Sequence, residues 1–407
     1  MTTAVPSADV LGAMLARVTG VLARELANPT ERTPDWSDAE WRLARAVCAI
    51  QGISGLLCTC LRWSDAPGPW RSFLEQQRDH TAVRHRRMRE VLLELDSAAK
   101  THGIPILGMK GSALQRLDVY APGERPMSDI DLLAHPADAA GVAQILCSIG
   151  FREDSVTERH VTFVPVASRA PSLLGECAAN DVKIELHTRA WEQLGVCSVD
   201  ATESIFPKNT DSPGVHSYPS IPALMFHLAL HTAGNIGLRT LRLLQLHDLA
   251  RVSARLTASD WEKVVRLAGR DERQAWWLFP PLSLMHRYAG AAPQPLLDYL
   301  RSGCPRTLTG ACEQLGIAEL SLCHPWIVLF PGLFWTRTVP EALQYVWSRL
   351  FNTPVAVHTR ALRENPSLVN TRWNRLSRLG RLARWARGRV PRVGTLSAVE
   401  AAFADAI

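Results

Sequence analysis

Lysine is scarce in this chain. Of its 45 basic residues only Lys100, Lys110, Lys183, Lys208 and Lys263 are lysine, so arginine carries almost all of the net charge of +6. A lysine inside a motif is therefore conspicuous. The positive excess suits an anionic partner, such as a nucleotide, RNA or a membrane surface, and says nothing about fold. Long apolar runs are missing as well. The longest, 326–335, is interrupted by Pro331 and Gly332 and has about half the length of a bilayer-spanning helix, so no transmembrane segment is expected. The chain does not open on a basic stretch followed by an apolar one, which argues against a secretory signal and for a cytoplasmic protein. Nor is there a paired C-x-x-C framework. The nine cysteines are scattered, mostly in apolar helical surroundings, and read as buried thiols rather than as a zinc or disulfide scaffold.

With 407 residues, 47% of them apolar and 21% charged, the chain has an ordinary globular composition and the length for more than one compact unit. Periodicity and breakers divide it into an N-terminal helical region (1–100), a core in which strand and helix signals alternate (101–205), a helical domain (215–345) and an arginine-rich C-terminal region (346–407). In the first, Ser37-Asp38-Ala39-Glu40 is a capping box ahead of an apolar stripe through Trp41, Ala44, Val47 and Cys48. A longer helix follows over 70–100, and its cluster Arg84, Arg86, Arg87 and Arg89 reads as a solvated face. In the core, 104–109 reads as a short buried strand, 111–118 as a helix, 130–134 as a strand, 137–149 as a helix ended by Gly150, and 160–166 and 182–187 as further strands. Beyond it, helices are expected over 222–231, 238–254, 260–268, 274–288 and 296–300, with Ser259-Asp260-Trp261-Glu262 as a second capping box. The expected fold is α+β: a small mixed sheet flanked by N- and C-terminal helical regions.

Chemistry enters with Ser128-Asp129-Ile130-Asp131-Leu132-Leu133. Two residues apart on a strand, Asp129 and Asp131 leave the same face of the sheet. Two adjacent carboxylates on an otherwise apolar strand repel each other and call for a positive counterpart, and a divalent cation with oxygen ligands is the usual one. Mg²⁺ is typically held by one or two carboxylates together with substrate phosphates. Glu185, in Val182-Lys183-Ile184-Glu185-Leu186-His187, is the best candidate for a third acid on a neighbouring strand, because it points away from Ile184 and Leu186. Such a triad suits nucleotidyl transfer, with one metal activating an attacking hydroxyl and another holding the triphosphate. Upstream, Lys110-Gly111-Ser112 stands at a strand-to-helix junction. Free N–H groups there favour an anion, glycine lets a phosphate approach the main chain, and Lys110 adds a point charge. Arg125, in the loop just before the acids, is a candidate for bidentate binding of the triphosphate.

This ordered set resembles the nucleotidyltransferases of the DNA polymerase β superfamily: a strand, Gly-Ser, a short helix, then D-x-D and a later acid. It is most similar to a branch of poorly characterised bacterial nucleotidyltransferases, through Lys110-Gly111-Ser112, Tyr120, Arg125, Asp129-Ile130-Asp131-Leu132-Leu133 and Glu185-Leu186-His187. The downstream stretch with His227, His231, Arg242 and His247-Asp248 extends the likeness, which covers roughly 85–255. The resemblance implies that Asp129 and Asp131 bind Mg²⁺ or Mn²⁺, that Glu185 completes the site and helps to activate the acceptor, and that Gly111 and Ser112 hold phosphate. The implied activity moves a nucleoside monophosphate from an NTP to an unspecified hydroxyl or phosphate acceptor, on a small molecule, peptide, protein or RNA, and releases pyrophosphate. The alternative is a catalytically inactive nucleotide- or RNA-binding protein on the same fold; a third reading is a helical scaffold in which the acids only cap or form salt bridges. Two departures stand out. Glu185 replaces the aspartate common in the wider superfamily, and the gap from Gly111-Ser112 to Asp129 is longer than in its compact members.

His187 reads equally as a substrate-orienting group or as a satisfied histidine at a strand end. His227 and His231, one helical turn apart, read as packing or as the lining of an acceptor pocket. Asp248 reads as the structural partner of Arg239 or Arg242. Near the C-terminus Arg372, Arg375, Arg378, Arg381, Arg384 and Arg387 recur at intervals of three. That period drifts around an α-helix, leaving a candidate contact for an anionic partner, a solvated tail or a segment packed on the body.

Overall fold

The computed structural model describes residues 5–167, 174–206, 212–269, 272–323, 332–351 and 391–404. Four helices come first: α1 (Ala8–Ala27), α2 (Asp38–Gln51), α3 (Ser54–Cys60) and α4 (Gly68–Thr101). The expected capping box opens α2, where the Glu40 carboxylate accepts from both the N–H and the hydroxyl of Ser37. Gly52, with φ of 69°, closes it in the left-handed conformation that glycine adopts without steric penalty. The central part alternates β1 (Pro105–Gly108), α5 (Gly111–Arg116), β2 (Asp129–Ala134), α6 (Ala139–Ser148), β3 (Phe151–Val156), β4 (Val161–Pro165), β5 (Lys183–His187), β6 (Trp191–Leu194), β7 (Cys197–Asp200), α7 (Thr202–Ile205) and β8 (Gly214–His216).

Six of these strands form one mixed sheet in the order β3-β4-β5-β2-β1-β8, while β6 and β7 make a separate hairpin. Strand β2 runs parallel to β5 and antiparallel to β1. Because side chains alternate along a strand, the sheet has two different faces. Ile130, Leu132, Ile184 and Leu186 pack with Met88 and Leu95 of α4 and with Val142 and Leu146 of α6 in one apolar layer. The opposite face carries Leu107 and Leu133, and these join a second, larger core. That face is also the one bearing the acids.

Among the described residues the remaining helices are α8 (Ile221–Leu238), α9 (Leu243–Ser253), α10 (Ala258–Ala268), α11 (Glu272–Ala275), α12 (Phe279–Ala289), α13 (Gln294–Gly303), α14 (Arg306–Gln314), α15 (Ile317–Ser321), α16 (Val339–Phe351) and α17 (Val393–Ala404). The fold is thus α+β with helical flanks. The larger core unites residues far apart in the chain: Leu11, Leu15 and Leu43 pack with Phe226, Leu246, Trp277 and Val399. Helices from both ends of the sequence therefore enclose the polar face of the sheet.

Three local expectations need correction. The stretch 238–254 is not one helix. Arg239 adopts φ of 59° and caps α8, Thr240 bonds back to Asn235, and α9 starts only at Leu243. The second capping box lies two residues earlier than expected, with Thr257 and Asp260 exchanging hydrogen bonds. Arg84 is not on a solvated face. It is 4% exposed, pairs with Glu176, and donates to the main-chain carbonyls of Ser128 and Asp181 at 3.3 Å each. The arginine-rich run 372–387 lies outside the described residues.

Candidate active site

Parallel pairing of β2 with β5 sets Asp131 level with Glu185 and Leu133 level with His187. Since Asp129 and Asp131 share a face, as do Glu185 and His187, four chemically active side chains stand on adjoining strands. The main chain that enters both strands is tied by one guanidinium, that of Arg84, through Ser128 and Asp181. The antiparallel pairing of β4 with β5 sets Val161 opposite Leu186. One step further along that register, His160 stands beside His187, with ring centroids 5.0 Å apart.

Lys110 approaches from the β1–α5 junction. Its backbone has φ of 46° and ψ of −112°, a conformation that side chains other than glycine rarely adopt. Two anchors hold it there. Its N–H donates to Tyr218 Oη at 3.2 Å, and its Nζ donates to Asp131 Oδ1 at 2.7 Å. Tyr218 Oη in turn lies 2.6 Å from His227 Nδ1. Burial pushes the His227 pKa down to about 3, so the imidazole is neutral and accepts a hydrogen bond from the tyrosine hydroxyl. Neither Tyr218 nor this role for His227 has a signal in the sequence.

The charges around the acids are unevenly shared. Burial resists ionisation of Asp131, but Lys110 and His187 outweigh it and hold that carboxyl far below its ordinary range. His187 Nε2 is 3.2 Å from Asp131 Oδ1 and 3.6 Å from Glu185 Oε2. Burial opposes a charge on His187, yet the two carboxylates prevail and raise its pKa. Asp129 is left with less support. Burial and then the charges of Asp131 and Glu185 raise its pKa above the ordinary value, against the weaker pull of Lys110 and Arg242.

Arg125 occupies the wall of the same cleft, and its partner corrects the expectation for Asp248. Nε and Nη2 of Arg125 each donate to a different oxygen of Asp248 at 2.8 Å, and Tyr120 Oη donates to Asp248 Oδ1 at 2.8 Å. Asp248 thus serves neither Arg239 nor Arg242, because α9 turns it toward the loop before β2. The far edge of the guanidinium lies over the start of α5. A Cβ at Gly111 would stand 2.8 Å from Arg125 Nη1, so a larger residue there would push the end of the arginine aside. Ser112 is buried, and its hydroxyl has no hydrogen-bond partner among the described residues.

Together these groups border a polar cleft of about 290 Å³ between the sheet and the helices α8 and α9. Lys110, Gly111, Arg125, Asp129, Asp131 and Glu185 all line it, and the far wall presents His231, Asn235, Arg242 and Gln245. His231 is committed to packing interactions with polar partners: Nδ1 lies 3.2 Å from Glu192 Oε1 and Nε2 3.1 Å from Asn235 Nδ2. Arg242 is exposed just ahead of α9 and has no carboxylate partner among the described residues.

Comparison with known proteins adds one match. A family model described as an uncharacterised nucleotidyltransferase matches residues 37–278, more than half of the chain and inclusive of every residue of the cleft named above. No curated protein and no solved structure matches.

Proposed function

Because the chain belongs to the family of uncharacterised nucleotidyltransferases, we propose that its cleft moves a nucleoside monophosphate from an NTP to a hydroxyl or phosphate acceptor. The observation that carries the reading is the pairing of Asp131 with Glu185 across adjacent strands, with Asp129 on the same face of one polar cleft. Three carboxylates crowded together, one of them resisting ionisation, are a donor set suited to a hard divalent ion such as Mg²⁺ or Mn²⁺. When bound, such an ion would neutralise the triphosphate and the developing charge on the leaving pyrophosphate.

In this reading Gly111 lets the phosphates approach the start of α5, with the buried Ser112 behind it in the same turn. Lys110 and Arg125 supply fixed positive charge, positioned by Asp131 and Asp248. Arg242 is the guanidinium left free to grip the phosphates. It precedes α9, where the helix dipole disfavours a cation, so its charge there serves something other than the helix. The acceptor oxygen attacks the α-phosphorus, the bond from that phosphorus to the bridging oxygen breaks, and the electron pair leaves on pyrophosphate. A hydroxyl acceptor gives its proton to the Glu185 carboxylate, and α8 and α9 shape the space in which the acceptor sits.

The test uses purified protein, each α-labelled NTP in turn, Mg²⁺ or Mn²⁺, and a cell extract as the source of acceptor. Label should pass to an acceptor in wild type and be lost in Asp129→Ala/Asp131→Ala. Arg242→Ala should raise KM for the NTP more than it lowers kcat. Transfer that survives the double substitution would sink the reading. A second reading, nucleotide binding without transfer, is favoured by the Lys110 ammonium already seated on Asp131 at 2.7 Å. It predicts NTP binding with no labelled product and no pyrophosphate from any extract.

A further inference from the structure

Beside the carboxylates stand two histidines that the transfer reading does not use, gathered around Glu185, which it does. His160 Nδ1 is 3.4 Å from Glu185 Oε2, and His187 Nε2 is 3.6 Å from the same oxygen. All three donor atoms fall within 4.8 Å of one another. Both contacts to Glu185 exceed the usual range for a nitrogen–oxygen hydrogen bond. The atoms are gathered without close hydrogen bonds to each other. Ligands on a tetrahedral ion with bonds of about 2.0–2.1 Å stand roughly 3.3 Å apart, close to the two measured edges.

His160 is firmly held. It ends the turn between β3 and β4, where Thr157 clamps it three times: Thr157 N–H and Oγ1 donate to the His160 carbonyl at 2.8 and 3.0 Å, and His160 N–H donates to Thr157 Oγ1 at 2.9 Å. The preceding Arg159 pairs with Glu192 at 2.8 Å and fastens the turn to β6. His187 and Glu185 sit on β5 itself. A hairpin turn and a central strand thus deliver two imidazoles and one carboxylate to one place.

We propose that His160, His187 and Glu185 form a second metal site, one that takes a borderline first-row divalent ion such as Zn²⁺ or Co²⁺ in preference to Mg²⁺. Imidazole nitrogen selects such ions, whereas Mg²⁺ favours oxygen ligands and keeps its water. Ligation replaces the contact of His187 with Asp131, which keeps Lys110, and ties the β3–β4 turn to the rim of the cleft. The inference goes beyond the transfer reading and does not depend on it; the two share only Glu185.

The test is optical titration of the chelator-stripped full-length protein with Co²⁺ in the presence of excess Mg²⁺. The site predicts one tightly held ion with the visible bands of nitrogen and oxygen coordination. His160→Gln and His187→Gln, with far-UV circular dichroism unchanged, should each weaken binding by more than roughly 100-fold, beyond the loss expected for an outer hydrogen-bond partner. Displacement of Co²⁺ by Mg²⁺, a thiolate charge-transfer band pointing to cysteine, or undiminished binding in both variants would overturn it. Label transfer, measured separately with Asp129→Ala/Asp131→Ala, reports on the other reading, so either can fail alone.

Discussion

Asp248 shows how much a single buried carboxylate can organise. It receives both arms of Arg125 and the Tyr120 hydroxyl, and its side chain is 4% exposed. Removing one member of such a pair leaves an uncompensated buried charge. Asp248→Ala should therefore destabilise the protein by about 3–5 kcal/mol, read as a lower urea midpoint at unchanged slope. Glu192 offers a pH-dependent counterpart. Burial alone would raise its pKa, but the His231 hydrogen bond and the charges of His231 and Arg159 pull it down to about 2, below its ordinary 4.5. The unfolded chain then takes up the proton first as pH falls. The stabilisation is complete above about pH 5 and is lost between there and about pH 2. Wild type should lose stability over that window more steeply than Glu192→Gln, in urea titrations at a series of pH values; parallel curves would contradict this. Neither pair was legible beforehand. Arg125 and Asp248 are 123 residues apart, and nothing in a sequence signals which of several arginines an aspartate on a helix will meet.

At the scale of elements, the strands bearing the acids were readable because their sequences alternate. Asp129, Asp131 and Glu185 interrupt apolar runs with period two, the signature of a strand with one buried face. Strand β3 was missed for the same reason in reverse. Five of its six residues are exposed, and it carries Arg152, Glu153 and Asp154, so no apolar period marks it. The break between α8 and α9 was also hidden, since Arg239 takes a left-handed conformation that glycine would have announced. Arg84 read as one member of a basic cluster, yet it ties the entries of β2 and β5, an arrangement that exists only once both strands have met α4. The shifted cap gives a direct check of the helix assignment. Thr257→Ala should cost about 1 kcal/mol and Ser259→Ala less than about 0.5 kcal/mol, compared by thermal or urea unfolding. The reverse ranking would restore the cap at Ser259.

For the whole molecule, the arrangement has a simple logic. One face of the sheet is sealed by α4 and α6, and the other is enclosed by helices drawn from both ends of the chain, which leave there a polar cleft with its three acids. The family and the α+β fold could be inferred from residues 110–187 because that segment is local and strongly patterned. On the far wall of the cleft His231 and Arg242 were marked by the family likeness, but the pairing of His231 with Glu192 depends on α8 meeting β6 and had no such signature. In the proposed reading the acids and the cations form one metal and nucleotide site. Isothermal titration with a non-hydrolysable NTP analogue tests it without knowledge of the acceptor. Wild type should bind the analogue only with Mg²⁺ or Mn²⁺ present, and Asp129→Asn/Asp131→Asn, folded by circular dichroism, should lose that binding. Binding of equal strength without a divalent ion, or in the double variant, would contradict the account.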